Sequence, residues 1–256
     1  MPAMRFLLLA ALSAALAAPA LAQAPPYEPV PFQPGKDVVW VTTPEALVEK
    51  MLDMAKVTRD DFVMDLGSGD GRTVIAAAKR GARALGVEYD PDMVELSRRN
   101  AEKAGVAGRA TFVKADLFET DFSRADVITM FLLPSINMSL RPKILGLRPG
   151  TRIVSNTFTM GDWAADEIAK LSEADGCKAS YCMALFWIVP ARVAGIHKLP
   201  QGELILQQNF QMLTGSLRAE GRKSDVEGRV RGEEISFRAG GREYRGRWNG
   251  KTLELR

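Results

Sequence analysis

The sequence predicts an α/β fold: a parallel sheet covered by helices on both faces, followed by a small antiparallel β unit. Three observations predict it. From residue 61 to about 190, short apolar runs alternate with segments of helical spacing. A glycine-rich turn follows the first of those runs. After about Gly195 the pattern changes to short alternating segments separated by Gly-Lys, Gly-Gly and Asn-Gly steps.

Taken in order, residues 23–37 are Pro-rich and read as an extended lead-in. Val38–Val41 is a short apolar stretch. Thr43 is placed to cap a helix with Pro44 at its first position, and Ala46, Leu47, Met51, Leu52 and Ala55 recur near helical spacing. Phe62–Leu66 reads as a buried strand and Arg72–Arg80 as a helix stopped at Gly81. Ala84–Glu88 is a second strand. Asp90 caps the next helix, with Pro91 at its first position and Gly105 at its end. Ala110–Ala115 and Ala125–Phe131 are strands, Ser135–Leu147 a helix interrupted at Pro142, and Thr151–Thr157 a strand. Trp163–Leu171 is expected to be a helix and Tyr181–Val189 a long strand. In the tail, Glu203–Arg218, Val226–Val230, Glu234–Arg238, Glu243–Trp248 and Thr252–Leu255 are strand candidates, with Asn249-Gly250 as a hairpin turn. The expected division is a main domain over 38–194 and a β-rich extension over 195–256.

The N-terminus has its own signature. Arg5 precedes an apolar Leu/Ala run from Phe6 to Ala18, then Pro19 and Ala20-Leu21-Ala22. That is the layout of a secretory signal peptide cleaved after Ala22, so the expected location is periplasmic, with an uncleaved anchor as the alternative. The run is shorter than the roughly 20 residues that span a bilayer. Cys177 and Cys182 would be free to pair in such a compartment. Burial as two small hydrophobes is the equal alternative.

Composition excludes some classes. The hydrophobic share of 46% suits a folded core. The net charge is +3, and the excess lies in residues 200–256, which carry 11 basic and 8 acidic side chains. That is too mild for a nucleic-acid-binding face. No metal-ligand cluster or nucleophile triad is visible, and the single histidine, His197, lies beyond the α/β part.

The chemistry concentrates at Val63-Met64-Asp65-Leu66-Gly67-Ser68-Gly69-Asp70-Gly71-Arg72, a strand-to-helix turn where open α/β sheets bind ligands. The dinucleotide fingerprint places a third glycine where Arg72 stands. Asp65 would also repel a pyrophosphate. A ligand with an ammonium group and no phosphate suits the turn better. Glu88 ends the second strand, where a carboxylate grips ribose hydroxyls, and Asp116 ends the third, within reach of an adenine amino group.

These residues resemble motif I and the following acidic motifs of the class I S-adenosylmethionine (SAM)-dependent methyltransferases, with their Rossmann-like sheet, over about residues 38–190. A closer likeness is to the small protein-lysine methyltransferases that include the enzymes modifying an ATP synthase subunit and the adenine nucleotide translocase. It rests on the extended segment ending Thr43-Pro44, on Asp65-Leu66-Gly67-Ser68-Gly69-Asp70-Gly71-Arg72, and on Ser97-Arg98. The leader and the β-rich tail depart from that family's mitochondrial enzymes. The resemblance implies SAM as cofactor, held by Thr43, Asp65, Gly67, Ser68, Gly69, Gly71, Glu88, Tyr89, Asp116 and Leu117. It implies a protein lysine as acceptor, with no nucleic acid partner and no membrane span after leader removal. A non-catalytic envelope protein that binds SAM or a nucleoside, and a small-molecule methyltransferase, are the alternatives. The fourth strand runs into Phe131-Leu132-Leu133-Pro134, without the Asn/Asp-Pro-Pro-aromatic motif of enzymes that methylate planar amide or adenine nitrogens. Phe131, Asn156, Asp162 and Trp163 follow strand ends on the acceptor side, and no catalytic base is assigned among them.

Overall fold

A computed structural model describes residues 27–30 and 40–256. The expected leader, residues 1–22, and most of the lead-in lie outside the described residues.

The first sheet has seven strands. β1 (Phe62–Leu66), β2 (Arg83–Glu88), β3 (Ala110–Lys114), β4 (Val127–Met130) and β5 (Arg152–Asn156) are parallel to one another. β6 (Glu167–Lys170) and β7 (Met183–Ile188) complete the order β3-β2-β1-β4-β5-β7-β6, and β7 runs antiparallel to both β5 and β6. The sheet is therefore mixed rather than wholly parallel. The central parallel strands β1, β4 and β5 are almost continuously buried, as strands covered on both faces must be, whereas β3 at the edge alternates.

Helices α1 (Glu45–Met54), α2 (Arg72–Lys79) and α3 (Pro91–Lys103) follow the expected spacing. Leu47, Val48, Met51 and Leu52 bury one stripe of α1. α3 begins as its sequence dictates, with the Asp90 side chain accepting the Asp92 N–H at 2.9 Å and Pro91 at the first position. α1 does not: Pro44 occupies the cap position, and Thr43 is buried and bonded elsewhere. α4 (Pro134–Leu145) runs through Pro142 without interruption. Pro142 and Met138, four residues earlier, are both exposed, so water can satisfy the carbonyl that the proline leaves without a donor.

The expected helix over 163–171 is absent. The chain after β5 instead forms an extended loop, in which Met160 and Trp163 bridge, and then the strand β6. The tail takes over that cover. Its second sheet is a seven-stranded antiparallel meander in sequence order: β8 (Gly195–Leu199), β9 (Gly202–Asn209), β10 (Met212–Ala219), β11 (Arg222–Arg231), β12 (Glu234–Ala239), β13 (Arg242–Trp248) and β14 (Leu253–Leu255). The single strand expected over 203–218 is split by a turn at Phe210, which has φ 50°. Alternation gives the meander one apolar face, where Leu204, Leu206, Leu213, Leu217, Val226, Val230, Ile235 and Phe237 form their own core. His197 of β8 meets Trp248 of β13 edge-on at 5.5 Å, so the sheet curls over that core.

The two sheets are bonded together. The ring of Phe210 stacks on Trp163 at 6.0 Å and lies under the guanidinium of Arg141. Buried Gln211 donates to the carbonyl of Ala164 at 2.7 Å. Arg229 pairs with Asp166, and Arg231 with Glu167.

Candidate functional site

The glycine turn sits between β1 and α2, beside the end of β2. Gly69 (φ 53°) and Gly71 (φ 82°) are left-handed, a conformation that glycine adopts without steric cost. Space forbids side chains as well. A Cβ on Gly69 would lie 2.9 Å from the indole nitrogen of Trp40, and one on Gly71 would lie 2.7 Å from the Phe112 ring. Ser97 also packs against Gly71, and Arg98 donates to the Phe112 carbonyl. The Ser97-Arg98 pair therefore braces the turn from behind.

The three acids differ in environment. Glu88 is fixed by backbone: Oε2 accepts the Gly69 N–H at 2.9 Å, and Oε1 accepts those of Tyr89 and Asp90 at 2.9 and 3.0 Å. Asp116 accepts the Phe118 N–H at 2.8 Å and faces solvent. Asp65 is buried under the turn and accepts the Thr129 hydroxyl at 2.6 Å. Burial pushes its carboxyl up to about 7; the Thr129 hydrogen bond opposes the shift, and the charges of Glu88 and Asp70 add to it.

All ten predicted cofactor-binding positions fall at one end of the sheet, the carboxyl ends of the parallel strands. A cavity of about 840 Å³ opens there, and Thr43, Asp65, Gly67, Ser68, Gly69, Glu88, Tyr89, Asp116 and Leu117 line it. Gly71 stands just behind, as the N-cap of α2. The sequence reading missed Trp40, Phe118 and the segment Tyr27, Pro29 and Val30, which also line the cavity. Trp40 sat in plain view before Thr43-Pro44; its packing on Gly69, 29 residues on, leaves no local signal.

The acceptor-side candidates separate. Asn156 is buried and donates to the Thr43 hydroxyl at 3.2 Å, and Arg72 donates to the Thr43 carbonyl at 3.0 Å, which ties the end of β5 to the lead into α1. Phe131 lines the cavity. Trp163 does not belong here: it is wholly buried against Trp187 and Phe210. Asp162 is engaged by Arg141, whose hydrogen bond holds its carboxyl below the usual range. Cys177 and Cys182 form a disulfide with a Cα–Cα separation of 6.0 Å.

A sheet of order 3-2-1-4-5-7-6 with a reversed seventh strand, a glycine turn after β1, and acids at the ends of β2 and β3 define a class I SAM-dependent methyltransferase. Comparison with known proteins agrees. The model of the ANTKMT methyltransferase domain matches residues 65–167. A protein-lysine N-methyltransferase of Saccharolobus islandicus is 46% identical over 141 residues, which cover 54% of this chain and 88% of that protein. A mouse lysine N-methyltransferase named for an ATP synthase subunit is 39% identical over 46% of this chain and 48% of its own length. The crystal structure of an RNA methyltransferase from Salinibacter ruber, with S-adenosyl-L-homocysteine bound, superposes with a TM-score of 0.55 at 45% identity, over 60% of this chain and 96% of that one. The chain belongs to the methyltransferase family of the Saccharolobus enzyme, and it is a SAM-dependent methyltransferase.

The residues present fit the cofactor. Gly67, Ser68 and Gly69 put the backbone of the turn at the cavity wall, where a ligand can approach it closely. Three backbone amides hold the Glu88 carboxylate in place and leave Oε2 a site to accept a ribose hydroxyl, and Asp65, once ionised, supplies negative charge for an ammonium or sulfonium. When bound, SAM supplies a methyl group already activated for displacement. The protein therefore has only to position the acceptor and exclude water.

Proposed function

We propose that this enzyme methylates the ε-amino group of a lysine in a protein. The observation that carries the proposal is the end of β4. Phe131 and Leu132 line the cavity where enzymes acting on planar amide or adenine nitrogens place a polar Asn/Asp-Pro-Pro-aromatic loop. An apolar, aromatic wall offers a planar amide no hydrogen bonds, but it packs against the methylene stem of a lysine. The names of the relatives support the same reading: the Saccharolobus protein is a protein-lysine N-methyltransferase, and a mouse relative 34% identical over 56% of this chain and 62% of its own length is an adenine nucleotide translocase lysine N-methyltransferase. The Salinibacter relative is named for RNA, so RNA belongs in the test. The purified enzyme is incubated with labelled SAM and either host protein or host RNA. Label in protein, localised to lysine by mass spectrometry, supports the proposal; label confined to RNA overturns it.

The proposal extends to the compartment. The Arg5, Leu/Ala-run and Ala20-Leu21-Ala22 series supports export, and two cysteines at bonding distance suit an oxidising compartment. N-terminal sequencing of protein from the native host checks this, with Gln23 as the expected first residue. A chain starting at Met1 in the cytosol overturns it.

A further inference from the structure

Three rings meet beside the cofactor cavity, and each comes from a different segment. Phe131 follows β4, Phe158 follows β5, and Tyr181 precedes β7. Because β7 runs antiparallel to β5, with Asn156 opposite Ala184, the start of β7 lies at the same end of the sheet as the ends of β4 and β5. That is the end that carries the glycine turn. The ring centroids of Phe131 and Phe158 are 5.8 Å apart, and those of Phe131 and Tyr181 are 5.4 Å apart. All three rings are half-buried. Phe131 lines the cavity, while Phe158 and Tyr181 flank it outside the lining.

The segment presenting Phe158 is held by more bonds than packing requires. Thr157 has φ 59°, a left-handed conformation that a β-branched residue adopts only under constraint. Its N–H donates to the Met183 carbonyl at 2.7 Å and its hydroxyl to Asn156 Oδ1 at 2.9 Å. The Phe158 carbonyl accepts from Ser155 at 2.8 Å and from Asn137 at 3.2 Å, and both donor residues are wholly buried. Backbone strain of this kind persists where the surroundings over-determine it, and it clusters at ligand sites.

We infer that Phe131, Phe158 and Tyr181 form the port through which the acceptor's alkylammonium reaches the methyl group. The inference rests on the lysine reading above and adds the residues that bind the acceptor. Aromatic faces attract a cation electrostatically, and more so where water is excluded. The incoming ammonium gives up a proton to water on the open side of the wall. The amine lone pair then forms the C–N bond as the S–C bond breaks, and positive charge passes from sulfur to nitrogen. The rings therefore face a cation as the ammonium arrives and again once the new methyl is in place.

The test reads binding, apart from turnover. A short peptide with one trimethyllysine, and the same peptide with a neutral tert-butyl group in place of the trimethylammonium, are titrated by calorimetry into enzyme saturated with S-adenosylhomocysteine. The wild type should prefer the cationic peptide. Phe158→Leu and Tyr181→Leu should each weaken that peptide's binding by about twofold to thirtyfold and erase most of the preference. Tyr181→Phe, which keeps the ring, should restore it. Unchanged S-adenosylhomocysteine affinity in each variant reports an intact fold. Equal binding of the two peptides by the wild type, or a preference that survives both leucine variants, overturns the inference. If the wild type labels lysine but the preference is absent, the port fails and the lysine reading stands. If the wild type labels only RNA, the lysine reading fails whatever the peptides do.

Discussion

The backbone N–H of Gly69 donates to Glu88 Oε2 at 2.9 Å, so the glycine turn and the acid at the end of β2 are a single bonded unit. The carboxylate that awaits the ribose also fixes the loop on which the rest of the cofactor lies. Replacing Glu88 therefore removes two things at once. Glu88→Ala should weaken SAM binding by about 1.5–3 kcal/mol for each charge-assisted bond lost, and by more if the turn relaxes. Glu88→Gln keeps an acceptor oxygen and should fall between. Calorimetry with S-adenosylhomocysteine checks both, and unchanged affinity in Glu88→Ala would remove the site assignment.

Asp65 makes cofactor binding depend on pH. Its carboxyl is raised to about 7 by burial, so at lower pH the empty site holds it neutral. A cationic ligand favours the ionised form and must displace the proton. SAM affinity should rise as pH is raised from about 5 to about 7 and level off above, with up to one proton released per molecule bound. The sign for stability is opposite. Because the folded pKa lies above the ordinary value of 3.8, ionisation destabilises the empty protein, and the penalty grows until pH passes about 7. Asp65→Asn should flatten both dependences and raise the thermal midpoint of the empty protein at pH 8. A pH-independent SAM affinity in the wild type would show that Asp65 is ionised throughout.

How much of this was legible beforehand follows from the range of the interactions. The glycine string and the acids Glu88 and Asp116 were readable because a parallel strand delivers its last residue to the ligand edge whatever the rest of the chain does. The Asn249-Gly250 turn was readable for a local reason too: the Asn249 side chain accepts the N–H groups of Lys251 and Thr252. The error over 163–171 has the opposite origin. Trp163 is held by Phe210, and Glu167 by Arg231, 64 residues on. Tertiary partners outvoted local spacing. Thr43 was misread as a cap because its true partner, Asn156, is 113 residues away. Phe158 and Tyr181 carried no local signal: the parallel pairing of β4 with β5 brings Phe158 to Phe131, and only the reversal of β7 brings Tyr181 there.

The disulfide between Cys177 and Cys182 closes a short loop whose last free residue is Tyr181. The Cys177→Ala/Cys182→Ala double variant should lose about 2 kcal/mol of stability by the loop-entropy relation. It should also raise KM for the protein acceptor, because Tyr181 loses its anchor, while SAM affinity stays unchanged. Denaturant melts of the oxidised protein and the variant, together with acceptor kinetics, check the two effects separately.

The tail should act as a structural cover for the far side of the sheet, with no part in holding the cofactor. None of its residues lines the cavity. The tail meets β6 and the loop after β5 through Phe210, Gln211, Arg229 and Arg231, and Phe210 and Arg231 also reach Arg141 of α4 and Phe186 of β7. That loop takes the place of a covering helix, so Phe210 is what closes the apolar cluster around Trp163 and Trp187 on this side. Phe210→Ala should therefore cost about 2 kcal/mol; the ring is half-buried, so the cost lies below that of a fully buried Phe→Ala change. Gln211→Leu should also destabilise, by about 1–3 kcal/mol, because it leaves the Ala164 carbonyl without its donor. Truncation after Leu199 removes all of these contacts together and uncovers the two tryptophans, so the shortened chain should melt far below the full one. The two single variants keep the fold and isolate the question. In both, S-adenosylhomocysteine affinity should match the wild type. A tenfold loss of that affinity in a Phe210→Ala protein with a native circular dichroism spectrum would mean that the tail reaches the cofactor site through the loop after β5.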